Sequence, residues 1–392
     1  MASSSRIPTP LFATAAGMSV ANVYYAQPLL DAVARDFSIP QAAIGGIVTA
    51  TQLGCGLALL FVVPLGDLLE RRRLMLAQAL LLAAILAAIA IVNSAPLLLT
   101  AMLLTGLLGT AMTQGLIAYA ASSAAEHERG RVVGATQGGV FVGLLLARVV
   151  AGGIGDVAGW RGVYICSAGA MLLLAALSWR RLPRLERSGT DMSYPALIAS
   201  MLDLLRRHRV LQVRGVLALL MFAAFNVFWS ALVLPLSAAP YNFSHTAIGA
   251  FGLVGAAGAL AATHAGRLAD RGLERRVTLG ALLLLLLAWL PLALMPVSLW
   301  ALVIGIVLLD LGGQAIHVTN QGMIFRTGSE AHSRLVSAYM LFYAVGSGLG
   351  AIASTQVYAY AGWTGVCLLG SAISLTALLF WTTTRKLSGG SN

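Results

Sequence analysis

The chain has 392 residues, 59% of them hydrophobic and only 10% charged, whereas soluble domains carry roughly 25% charged residues. A chain this apolar cannot clothe itself in polar surface, which excludes both a soluble globular domain and a disordered one and makes lipid its solvent. The formal charge of +11 raises nucleic acid as a partner, and the placement of the basic residues then removes it.

In chain order, the first apolar run, Leu11 to Val33, is span-sized and too long for the core of a secretion signal. Runs of similar length follow, giving twelve expected spans at 10–33, 42–65, 74–93, 96–121, 131–156, 160–179, 213–237, 245–269, 275–294, 297–323, 333–359 and 363–383. Each is close to the roughly 20 residues that cross a hydrocarbon core as a helix. None alternates as a barrel strand does, and in lipid each backbone group must be satisfied within its own segment, so an all-helical membrane fold is expected. The polar stretch after the sixth span divides the chain into a six-helix bundle at 1–180, a linker at 181–212 and a second six-helix bundle at 213–392. Within the linker, Tyr194 to His208 sets apolar residues at helical spacing beside basic ones, which fits either a helix lying on the membrane surface or a solvated connection.

Every second connection is basic. Arg71, Arg72 and Arg73 follow span two, Arg129 and Arg131 follow four, an arginine cluster separates six from seven, Arg267, Arg271, Arg275 and Arg276 surround the end of eight, and Arg326 and Arg334 follow ten. All basic residues except Arg35, Arg148 and Arg161 fall on one face. By the positive-inside rule that face, with both termini, is cytoplasmic, and the charge is a topology signal rather than a nucleic-acid footprint. Cys55, Cys166 and Cys367 stand singly in apolar runs and read as packing residues, so neither metal nor cofactor is expected.

The two halves repeat. Asp67 and Asp270, Arg131 and Arg334, and Gly159-Trp160 and Gly362-Trp363 match at an offset of 203 residues. Near the start of each half, Asn22-Val23-Tyr24-Tyr25 matches Asn226-Val227-Phe228-Trp229 at 204. Ordered matches of this kind indicate tandem duplication of a six-helix unit, with the copies related by an axis along the membrane normal.

On these residues the chain resembles the major facilitator superfamily over almost its whole length. The family's signature, G-x-L-A-D-R-x-G-R-R, is similar to Gly266-Arg267-Leu268-Ala269-Asp270-Arg271-Gly272-Leu273-Glu274-Arg275-Arg276. Its first-half copy, Val63 to Arg73, keeps Asp67 and the arginine run but loses the leading glycine. The resemblance implies two six-helix bundles around a cavity lined by helices one, four, seven and ten. It also implies a conformational gate at Asp67, Arg71, Arg72, Asp270, Arg271 and Arg275, in which a helix-end Asp takes an arginine from its own loop and faces the positive N-terminus of a helix in the opposite bundle. Two features depart from the family's drug/proton antiporters: span four lacks their arginine, and Arg148-Val149 stands where span five would carry Gly-Pro.

Charges inside spans are costly and by default functional. Two sit deep, Asp310 in span ten and Arg148 in span five. Asp310, Gln314, His317 and Gln321 lie at i, i+4, i+7 and i+11, along one helix face. Span one adds Asn22, Tyr25, Gln27 and Asp31, span four Gln114, and span seven Asn226 and Trp229. These residues are the candidates for substrate binding and proton coupling, with a structural ion pair or hydrogen-bond network as the alternative, and Arg148 has two candidate partners, Asp310 and Asp31.

The expected function is a secondary transporter of a small organic molecule, a proton-coupled exporter in the plasma (inner) membrane of a bacterium. The alternatives are an uncoupled facilitator or importer of a small metabolite and, from another class, a membrane receptor or assembly partner that does not transport. No enzyme motif occurs. The expected partners are the lipid bilayer, a small-molecule substrate and protons, not nucleic acid, with the chain acting as a monomer.

Overall fold

Lipid leaves the backbone no hydrogen-bond partner outside its own helix, and the structure follows that constraint throughout. A computed structural model describes residues 9–182, 192–325 and 332–384, and no strand occurs among the described residues. By length and apolarity alone, eight uninterrupted helices could cross a membrane. Two of these, Glu126–Arg181 and His332–Thr384, are each two crossings joined at one residue, Gly159 (φ 70°) and Gly362 (φ 60°). Both pair a positive φ with ψ near 180°, a backbone region essentially open to glycine alone. The duplication read at Gly159-Trp160 and Gly362-Trp363 is therefore a repeated hairpin.

Two further crossings are interrupted. The first runs Thr9–Tyr24, makes a tight turn at Gln27–Leu29, where Pro28 supplies no N–H, and resumes as Leu30–Phe37. The eighth runs His245–Val254, breaks at Gly255 and Ala256, and resumes as Ala257–Asp270. The remaining crossings are Gln41–Leu68 (two), Arg71–Ile91 (three), Ala95–Ser123 (four), Arg209–Ser237 (seven), Glu274–Ala293 (nine) and Leu299–Phe325 (ten). With five and six divided at Gly159 and eleven and twelve at Gly362, the crossings number twelve.

Crossings one to six form one bundle and seven to twelve the other, and the bundles meet along two seams, two against eleven and five against eight. On the face poor in arginine the seams close backbone to backbone. A Cβ on Gly45 would overlap Ala351, one on Gly152 would overlap His245, and one on Gly249 would overlap Arg148. The Gly45 N–H donates to Thr355 Oγ1 (3.1 Å), and Thr49 Oγ1 donates to the Gly348 carbonyl (2.8 Å). Toward the arginine-rich face the seams loosen, and a connector helix, Tyr194–Arg207, lies against them. Its Leu197 and Met201 are buried. Tyr194 donates to the Phe61 carbonyl of crossing two (2.7 Å), and Ser200 accepts from Arg334 of crossing eleven (2.8 Å).

Candidate functional site

Midway along the seam the two bundles enclose a small cavity of about 50 Å³. Asp310 and Arg148 both line it, each only 4% exposed, one from each half. Room for them comes from crossing eight. A Cβ on Gly255 would sit 3.2 Å from Asp310 Oδ2, one on Gly258 would sit 2.8 Å from Gln314 Cγ, and one on Gly252 would sit 3.2 Å from Arg148 Cδ. The break at Gly255 thus falls where the helix passes the two ionisable side chains.

Arg148 is held by uncharged groups. Its Nε donates to Gln27 Oε1 (2.9 Å), and its guanidinium lies 4.1 Å over the Trp229 ring and 5.4 Å from the Tyr24 centroid. Gln27 in turn reaches Asn226 Oδ1 (3.4 Å), joining crossing one to crossing seven. Arg148 makes an ion pair with neither of its two expected partners: Asp31 is engaged by Arg35 and His245, and Asp310 lies beyond ion-pair distance. Asp310 and Arg148 are near enough for each to feel the other's charge. The Asp310 Oδ2 atom is buried without a hydrogen-bond partner, and so is the Trp229 indole N–H. Such atoms cost about 1–3 kcal/mol each when left unmet.

The other expected residues divide. Gln314 and His317 line the same space, with His317 Nδ1 set 3.1 Å from the Tyr339 hydroxyl. Gln321, a further turn along, is half-buried outside that lining. Asn22 turns away into its own bundle, accepting from Ser167 (2.6 Å), and Tyr25 borders a membrane-facing groove between crossings one and five. Gln114 lines a separate pocket toward the arginine-rich face, with Asp67, Arg71 and Arg334. Sequence reasoning did not single out Phe141, Phe222 and Phe225 among the walls of the central space, because aromatic residues in apolar spans carry no directional signal.

At the arginine-rich face Asp67 pairs with Arg71 of its own loop (3.5 Å). Arg71 also donates to the Ala118 carbonyl (2.6 Å) and to Ser122, and Arg72 donates to the Trp179 carbonyl and lies over its ring. These contacts all stay within the first half. The side chain of Asp270 lies outside the described set, as does Arg326; Arg271 is exposed just after crossing eight and Arg275 in the first turn of crossing nine.

A second polar cluster joins the halves at the arginine-poor rim. Asp156 Oδ1 accepts from the His245 N–H (2.9 Å), and its Oδ2 accepts from the Thr246 N–H (2.8 Å) and Thr246 Oγ1 (2.6 Å). The carboxylate thereby caps the positive end of crossing eight from the opposite bundle. The His245 ring bridges Asp156 (Nδ1, 3.0 Å) and Asp31 (Nε2, 3.1 Å). One sequence signal was present: Asp156 is an acidic residue at a span end with no cation on its own loop until Arg161, which binds Asp36 instead.

Twelve crossings among the described residues, in two similar halves with a buried space between them lined by Asp310 and Arg148, are those of a membrane transporter for a small substrate. Residues 12–234 and 214–391 match the Major Facilitator Superfamily, and the chain belongs to that family. It is similar to the uncharacterized transporter YgaY of Escherichia coli O157:H7, 43% identical over 95% of this chain and 94% of that one. A probable transporter of Streptomyces coelicolor is 32% identical over 97% and 87%. The crystal structure of a bacterial homolog to the human lysosomal transporter Spinster, inward-facing and unoccupied, superposes with a TM-score of 0.78, covers 98% of both chains at 14% identity, and so shares the fold.

Proposed function

We propose that the protein is a proton-coupled exporter of a small organic molecule across the inner membrane of a bacterium. It works as a monomer that rocks residues 1–180 against 213–392. One chain supplies both walls of the cavity, so no second copy is needed. The distribution of arginine supports a cytoplasmic assignment for the arginine-rich face and both termini. On that assignment the conformation described is closed to the outside.

The observation that carries the reading is the Asp310 carboxylate, buried in the seam, with Oδ2 unmet and its one near cation on the opposite half. When the halves move, the distance from Asp310 to Arg148 changes, and with it the balance between the carboxylate and its protonated form. A proton taken up while the cavity faces outward and released to the cytoplasm would drive the return of the empty carrier. In the opposite state Asp67 and Arg71 latch the cytoplasmic rim, as the polar cluster at Asp156 latches the outer rim here.

The test uses purified protein in proteoliposomes and a compound found by thermal-shift screening. At saturating compound, Asp310→Asn should still exchange labelled for unlabelled compound but should no longer accumulate it under an imposed proton gradient. Uphill transport by a stable Asp310→Asn protein would eliminate proton coupling at this site. Parent protein that exchanges but never accumulates would be an uncoupled facilitator.

A further inference from the structure

The cavity holds one carboxylate and one guanidinium, from opposite halves, and they do not neutralise each other. Each lies among groups of its own hydrogen-bonding sense. Around Arg148 the unmet atom is a donor, the Trp229 indole N–H, and Gln27 already takes the Arg148 Nε–H. At the other wall the unmet atom is an acceptor, Asp310 Oδ2, facing the glycine backbone of crossing eight at Gly255. His317, the other titratable group on that face, is engaged by Tyr339. The rest of the lining is largely apolar and includes the rings of Phe141, Phe222 and Phe225.

A ligand carrying only a positive charge would meet Asp310 and be repelled by Arg148, and one carrying only a negative charge would meet the reverse. A ligand with both charges, in reversed order, satisfies the carboxylate, the guanidinium and the indole N–H together, and its uncharged body rests on the phenyl rings. We infer that the transported substrate is a small zwitterion, an ammonium carboxylate of amino-acid type, with its ammonium group on Asp310 and its carboxylate on Arg148 and Trp229. This rests on the cavity being the transport site. It adds a division of labour: the first half reads the acid end of the substrate and the second half reads the amine. Binding therefore draws the two bundles together across the seam.

Equilibrium binding to the purified full chain, with no proton gradient, tests it with matched probes: L-leucine and L-phenylalanine, their amides (ammonium only), their N-acetyl derivatives (carboxylate only) and their N-acetyl amides (neither charge). We expect at least one of the amino acids to bind about tenfold or more tighter than its two singly charged derivatives, and its uncharged derivative to bind weakest. Asp310→Asn should weaken the amino acid and its amide while leaving the N-acetyl acid unchanged, and Arg148→Gln should do the opposite. The parent protein's ranking of the probes decides the matter even if a substituted protein fails to fold. An amide or N-acetyl acid that binds as tightly as its parent amino acid would overturn the zwitterion claim. So would failure of both amino acids to bind at millimolar concentration. A singly charged probe that binds as tightly as its parent amino acid, through Asp310 or Arg148, would sink this inference and leave the transport site standing. Binding that neither substitution alters, in folded proteins, would remove the site itself.

Discussion

At the arginine-poor rim a side chain on Gly152 or Gly249 would run into the backbone of the opposite half, whereas at the other end of crossing five one on Gly130 or Gly134 would meet no atom within 4 Å. The same helix is welded at one end and free at the other. The polar contacts follow the same division. Asp156 reaches across the seam to two backbone N–H groups of crossing eight, whereas Asp67, at the opposite face, binds an arginine of its own loop. A closed rim therefore needs two things at once, glycine on the contact line and a charge aimed at a helix end in the other bundle. The open rim retains its charges but turns them inward upon its own half.

Spin labels at Gln41 and Asn242, exposed positions on opposite halves of the arginine-poor rim, would read this difference directly. The largest effect is expected from Gly249→Leu, since no rotamer clears the Arg148 carbonyl. Most molecules should show a lengthened distance, and gradient-driven transport should fail. A distance distribution identical to the parent's would mean that backbone contact does not hold this rim. Next comes Asp156→Ala, which strands two N–H groups and a hydroxyl. Hydrogen bonds to a charged group contribute about 1.5–3 kcal/mol, less at a partly exposed rim, so a shift of roughly tenfold toward the open rim is expected. Asp156→Asn, which keeps an acceptor, should fall between.

His245→Gln should act more weakly and through pH. Only an imidazolium can donate from both ring nitrogens, and both lie within reach of a carboxylate. Protonation therefore favours the closed rim, and in the parent the closed fraction should decline as pH rises from about 6.5, the ordinary histidine value, upward. The variant should show a flat profile, and an unchanged slope would assign the dependence elsewhere. The smallest effect belongs to Asp67→Asn. Its ion pair is exposed and confined to one half, contributing roughly 0–1 kcal/mol, so the Gln41–Asn242 distance should stay put while turnover slows. A shift as large as that of Asp156→Ala would erase the contrast between the rims.

The crossings could be read from the sequence because lipid dictates them: an apolar run of sufficient length has no alternative to a helix. The hairpin residues Gly159 and Gly362 were legible through their repetition, since one positive-φ residue was needed at the same place in each copy. The placing of Asp310 and Arg148 on one cavity was half legible. Burial cost pointed to both residues, but nothing in the sequence marked the crossing-eight glycines that make room for them, Gly252, Gly255 and Gly258. Arg214 shows the limit of counting. Read as part of the basic connection, it is fully buried near the start of crossing seven, bonded to Thr278 and Asn320, because a few residues of depth separate an anchor from a core group. The bond from Asp156 to crossing eight joins residues 89 apart in different halves, and no local pattern announces a contact of that kind.

The positive-φ turns at Gly159 and Gly362 leave almost nothing projecting from the arginine-poor face at two of its connections. The longest stretch between helices there, residues 238–244, leads straight into His245, and its Tyr241 hydroxyl donates to the Met295 carbonyl beside the tenth crossing (3.0 Å). An antibody fragment raised against that face of the folded protein has little else to grip. Its epitope would include the hinge of the closed rim, so such a reagent would act as a conformational trap, halting the carrier without entering the cavity.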